Sequence, residues 1–181
     1  ENDRLAAANE VEKITAEFAA TDEPLIYAKS KSRETVDEAY YSKEALSAEM
    51  AAIAFGKDRN QVYGPVLEND VYHISRVTDV RSMPDSVGVS YIVLAQNAAK
   101  ADSLMAAAKG GADFAAMAME FSEDRATAEL GGELGTLPYS AYPEEFRAEI
   151  DNASKGSIFK VDMGQVVYVV RLDRKDAPVM K

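Results

Sequence analysis

The chain has no cysteine and only one histidine in 181 residues. Without cysteine there is no disulfide, no thiolate nucleophile and no thiolate metal site, and the redox compartment leaves no mark on the sequence. A lone His73 excludes a His-pair zinc site within one chain and leaves few routes to a His-activated nucleophile. Basic residues are in the minority, 20 Lys and Arg against 31 Asp and Glu, for a net charge of −11. That balance argues against nucleic acid and against charge-driven attachment to anionic membranes. No apolar run approaches the ~20 residues of a membrane span, and no signal peptide opens the sequence. The chain starts at Glu1 and reads at once as helix, so we expect a piece of a longer protein, with any membrane anchor outside it.

Two motifs that would bring in a ligand are also missing. SEDRATAE holds carboxylates but not the glycine-centred spacing of a calcium loop. GGELG is followed by neither Lys-Ser/Thr nor a long helix, so it is not a phosphate cradle. No metal and no cofactor is expected.

What is present is a 47% hydrophobic chain, enough for the core of one large or two small domains. Val11, Ile14 and Phe18 recur at three and four, which predicts a helix over about 3–20. Pro24 ends it, and PLIYA reads as a short strand. KEALSAEMAAIAF (43–55) is helical in period, with Leu46, Met50 and Ile53 on one face. QVYGPVLENDVYHISRVTD (61–79) alternates like two antiparallel strands around a turn at Glu68, Asn69 and Asp70. The polar stretch 81–87, with Pro84, reads as a linker.

From residue 88 the predicted order is strand, two helices, loop, helix, two strands. GVSYIVLA is β-branched and apolar, as a central strand buried on both faces should be. The helices break at Gly110 and Gly111, and the second sets Phe114, Met117 and Phe121 on one side. ELGGELGTLP (129–138) has three glycines within five positions and reads as a loop, because glycine weakens strand and helix interiors. PEEFRAEIDNA is a short helix opened by Pro143, and SIFKV with GQVVYVVRL forms a closing hairpin. NDVYHISRV can be set under GQVVYVVRL, which puts His73 opposite Tyr168 and Arg76 opposite Arg171. We therefore read 1–80 as an incomplete version of the unit at 88–175. Its missing strand would lie before Glu1 or come from another chain. His73 itself reads as a structural or surface histidine.

The sequence FAAMA, then FSED, then GGELG, then EEF and a final strand closing on Arg-Leu resembles the parvulin family of peptidyl-prolyl cis-trans isomerases. Two such units in one chain resemble the folding factors of the SurA and PpiD group. The resemblance implies an α+β fold: a parvulin (FKBP-like) domain with a four-stranded antiparallel sheet flanked by helices, preceded by an incomplete parvulin-like unit. It implies action on unfolded or proline-containing polypeptides, in the periplasm or cell envelope. It also carries over site positions. Tyr91 and Tyr168 stand where the family usually has facing histidines, and Asp124 holds the acidic position between them. Leu134 would line the pocket floor. Phe146 matches the pocket phenylalanine, and Tyr142, or Ala141 if the helix is shifted by one, takes the methionine position. With both histidines replaced, two functions remain open: an isomerase, or a module that binds unfolded chains without catalysis. Grooves of the second kind would also suit self-association.

Overall fold

The computed structural model describes residues 2–56 and 61–181. The chain divides into two units, Glu1–Ser82 with Met180–Lys181, and Met83–Val179.

In the first unit, helix α1 (Asn2–Ala20) is followed by α2 (Pro24–Lys31). The expected PLIYA strand is thus a helix. Pro24 does end α1, but it also opens α2, where its missing N–H is one of the donors no first turn can satisfy. Tyr27 of α2 stacks on Phe18 of α1 with ring centroids 5.9 Å apart, and its hydroxyl donates to Glu17 at 2.6 Å. The helix expected over 43–55 is interrupted: a 3₁₀ turn at Lys43–Ala45 precedes α3 (Ala48–Ala54). Ser47 accepts from the backbone N–H of Met50 at 3.2 Å, and serine serves better as this N-cap than as an interior residue. Strands β1 (Val62–Glu68) and β2 (Val71–Arg76) pair antiparallel. Asn69 and Asp70 make the turn with φ of 50° and 63°, the doubly left-handed conformation a tight hairpin prefers. Arg76 donates through Nη1 to the carbonyls of Phe18 and Thr21, each at 2.8 Å, and so satisfies the open end of α1. His73 is exposed on β2 opposite Val66.

The stretch expected as a linker, 81–87, contains the boundary between the two units and is itself partly strand. Ser82–Met83 form β3, and β4 (Ser86–Ala95) begins within the stretch. Met83, Pro84 and Val87 are buried, so their apolar contacts outweigh the turn signal of the proline. In the second unit β4 leads to α4 (Ala98–Lys109), α5 (Phe114–Phe121) and the one-turn α6 (Arg125–Ala128). Edge strand β5 (Glu133–Pro138), helix α7 (Glu144–Asn152), and strands β6 (Ile158–Asp162) and β7 (Val166–Lys175) complete it, and β8 (Val179–Met180) pairs with β3.

The sheet is four-stranded and antiparallel in the order β5-β4-β7-β6. Side-chain alternation divides its faces. Ile92 opposes Val169 and Leu94 opposes Val167, and these four pack with Ala101, Leu104, Phe114, Met117 and Ala118 from α4 and α5. Tyr91, Val93, Tyr168 and Val170 point the other way, with Phe159 and Val161 of β6 in register beside them. The run expected as a loop at 129–138 is half strand. The chain turns at Gly131 and Gly132, then pairs with β4, and Gly135 (φ +81°) sits where the register shifts beside Val89. A glycine that weakens a regular strand is the residue a bulge uses.

Candidate functional site

Gly131 and Gly132 have φ of +69° and +83°, and neither has room for a side chain. A Cβ on Gly131 would lie 2.8 Å from the Ala115 methyl, and one on Gly132 would lie 2.5 Å from the Tyr91 carbonyl oxygen and 3.0 Å from the Ala118 methyl. The turn therefore passes tightly between α5 and β4. Its purpose is visible in one bond: the Gly132 carbonyl accepts the backbone N–H of Tyr91 at 2.9 Å.

That bond begins a row. β5 pairs with β4 only as far as Ser90, which leaves the edge of β4 open from Tyr91 onward. The segment after α5 closes it. Buried Ser122 accepts from the N–H of Val93 at 3.1 Å, and the N–H of Glu123 donates to the Val93 carbonyl at 2.8 Å. The Glu123 carboxylate accepts from the N–H of Ala95 at 3.0 Å. Unpaired edge groups are thus satisfied, and the same stitching delivers Asp124 to Tyr91.

The Tyr91 hydroxyl donates to Asp124 Oδ2 at 2.9 Å. Asp124 Oδ1 accepts from the N–H of Ala126 at 3.2 Å, so the residue also caps α6. The hydrogen bond from Tyr91, joined by Thr127, holds the Asp124 carboxyl below its usual range. Burial first, and then the bond to Asp124, push the Tyr91 phenol up. At neutral pH the pair is a carboxylate and a phenol. Ser122 enters the sequence reading only as part of FSED, without a role, and Thr127 not at all. Ser-x-Asp followed by Thr at the third position after Asp124 is a capping pattern that would have marked both.

From Tyr91 a chain of rings crosses the sheet. Tyr91 and Tyr168 meet edge to face at 5.6 Å, Tyr168 and Phe146 at 5.1 Å, and Phe146 and Tyr142 lie tilted at 6.3 Å. Tyr91 and Tyr168 are half-buried, whereas Phe146 and Tyr142 are 6% and 4% exposed. The Tyr142 hydroxyl donates to the Val87 carbonyl at 2.9 Å. Burial, aided by the charge of Asp173, pushes that phenol up to about 12. Five of the six residues carried over from the resemblance thus form one connected group. Leu134 stands half-buried on edge strand β5, beside the bulge. Ala141, the alternative to Tyr142, is exposed. Among the described residues there is no cluster of three or more side chains that could hold a metal, and no helix is long and apolar enough to cross a membrane.

The helix-flanked, four-stranded antiparallel sheet is that of a parvulin-type domain. Residues 72–176, more than half the chain, match the PPIC-type PPIase domain, and the protein belongs to that family. Chaperone SurA of Sodalis glossinidius is 30% identical over 155 residues, which is 74% of this chain and 36% of that protein. Chaperone SurA of Xanthomonas campestris is 41% identical over 64 residues, 35% of this chain and 14% of the relative. The chain therefore spans about a third or less of the length of these curated relatives. The solution structure of the parvulin domain of PpiD from E. coli is 28% identical, with a TM-score of 0.46 over 52% of this chain and 92% of that one. The crystal structure of PrsA from Bacillus anthracis is 24% identical, with a TM-score of 0.47 over 52% of this chain and 43% of that one.

Proposed function

We propose that the second unit binds proline-containing segments of client polypeptides and catalyses their cis-trans isomerisation, as part of a protein-folding factor of the periplasm or cell envelope. Tyr91, Asp124 and Tyr168 are its catalytic residues, and Leu134, Tyr142 and Phe146 shape the substrate pocket. The family supports the reaction class, and the bond between Tyr91 and Asp124 beside the Tyr168 ring carries the assignment.

Resonance gives the peptide bond a rotation barrier of ~18–20 kcal/mol. Lowering it needs a site that favours the twisted amide over both planar forms, with no nucleophile and no metal. Twisting removes negative charge from the carbonyl oxygen and returns the lone pair to nitrogen. A half-buried aromatic wall favours the less polar, twisted form. The ionised Asp124 at its edge opposes the charge that the planar oxygen carries. The hydroxyl of Tyr168 has no hydrogen-bond partner among the described residues and can donate to the client. Exchange spectroscopy on a short Ala-Pro peptide tests this: added protein should broaden the cis and trans lines, and Asp124→Asn should remove most of the broadening. Unchanged lines at high protein concentration would overturn it.

One observation favours a second reading. Phe146 and Tyr142 are nearly closed to solvent, and the Tyr142 hydroxyl is committed to Val87. A pocket filled by its own rings would bind unfolded chains more shallowly, as a chaperone module does, with no rate effect. Binding of an unfolded client without line broadening would select it. The first unit, read as an incomplete copy of the second, would then add a binding surface or a site of self-association. In that copy β2 stands in for β7.

A further inference from the structure

The sheet face away from Tyr91 carries a polar group that the proposed isomerase site does not use. An open cleft of ≈ 640 Å³ lies there, lined by Lys109, Asp113, Phe114, Ser157, Ile158 and Arg171 among others. Arg171 is fixed in place. Its Nε donates to Asp173 Oδ1 at 2.5 Å and its Nη2 to Ser90 Oγ at 3.2 Å. Ser90, 1% exposed, in turn donates to Asp173 Oδ2 at 2.6 Å. The guanidinium lies 5.0 Å from the centroid of the Phe114 ring. Among the described residues, neither Arg171 Nη1 nor the Lys109 ammonium has an acceptor. The nearby carboxylates are already engaged: Asp173 by Ser90 and Arg171, and Asp113 Oδ1 by the N–H groups of Ala115 and Ala116 at 3.0 and 3.2 Å.

The geometry points to a binding site for a polypeptide carboxylate, either a chain end or an Asp or Glu side chain, with the adjoining apolar group seated on Phe114 and Ile158. A guanidinium held on two sides and backed by a ring meets a carboxylate with little ordering cost. On a chain of net charge −11, Lys109 and Arg171 bring two cations to one cleft, and each keeps a donor that no described residue fills. The site is separate from the isomerase reading and stands without it.

Three acetyl-capped tetrapeptides test it by titration into the nitrogen-15-labelled chain: Gly-Ala-Leu-Leu with a free C-terminus, the same peptide as its amide, and Gly-Leu-Glu-Gly amide. The acids should shift the backbone amides of Phe114, Gly156, Ser157 and Arg171. The uncharged amide should bind about tenfold more weakly, the loss of one charge-assisted hydrogen-bonded contact. Tighter binding of the free acid assigns a chain end, and tighter binding of the Glu peptide assigns a side chain. Lys109→Gln should weaken either acid about threefold, as a partly solvated ion pair does. Arg171→Met would leave Asp173 without its cation, so Ala112→Glu is the safer block: an exposed cleft residue given a competing carboxylate. Equal binding of acid and amide, shifts away from the cleft, or unchanged affinity in Lys109→Gln and Ala112→Glu would each overturn the proposal.

Discussion

The two faces of one sheet use the same β4 residues in opposite ways. On one side the aliphatic strand residues Ile92 and Leu94 meet Val167 and Val169 under α4 and α5, and apart from the Ser90–Asp173–Arg171 edge this side is apolar. On the other, one residue out of step, Tyr91 carries a hydrogen bond to a carboxylate and begins a run of rings. A strand's period of two lets adjacent positions serve unrelated demands. Around Ile92 and Leu94 the first face follows packing alone. The aromatic face keeps polar groups, at its centre, that packing does not need, and that difference is why we assign the isomerase site there.

The largest expected effect belongs to the aliphatic face. Ile92→Ala should cost about 2–5 kcal/mol in urea unfolding, the transfer term plus a cavity under α4 and α5. Peptide exchange per folded molecule should stay unchanged, and a parallel loss of exchange would erase the distinction between the faces. Next comes Gly132→Ala, which places a methyl 2.5 Å from the Tyr91 carbonyl at positive φ. It should cost roughly 1–3 kcal/mol, and it should also shift the Tyr91 ring resonances, because this turn sets that residue.

The central strand, the helix break at Gly110 and the closing hairpin all follow from periodicity and turn chemistry, and all are present. The glycine run was misread in part. Glycine's dislike of strands is a local rule, whereas β5 is held by its partner β4 and bends at Gly135. Pro24 was misread for a similar reason, since a proline that stops one helix can start another. Within the proposed site, the resemblance supplied Tyr91, Asp124, Tyr168, Phe146 and Tyr142. It gave no hint that Asp124 caps α6, or that Ser122 and Glu123 fill the open edge of β4. Those roles depend on which backbone groups lack a partner, and that is known only once β5 is seen to end its pairing at Ser90.

A smaller effect separates the closed and open ends of the aromatic run. Tyr142→Phe should cost about 0.5–1.5 kcal/mol for the bond to Val87. Its raised phenol favours the folded state fully below its ordinary value near 10.0 and progressively less as pH rises toward about 12. The parent should therefore lose stability over that range, and the variant should lose less. Asp124 works in the opposite sense. A carboxyl held below its ordinary range stabilises the folded state above that range and ceases to as pH falls through its lowered value. Asp124→Asn keeps a good cap and should flatten the acid limb slightly in urea titrations below about pH 4. An unchanged acid limb would mean that the bond from Tyr91 is not formed in solution.

The assignment of function to the aromatic face is tested most directly by intermolecular nuclear Overhauser effects from the proline ring of a bound Ala-Pro peptide. Our account predicts contacts from the proline to the rings of Tyr168 and Phe146, within reach of Tyr91. Contacts confined to other surfaces, with those rings unperturbed at saturation, would contradict it.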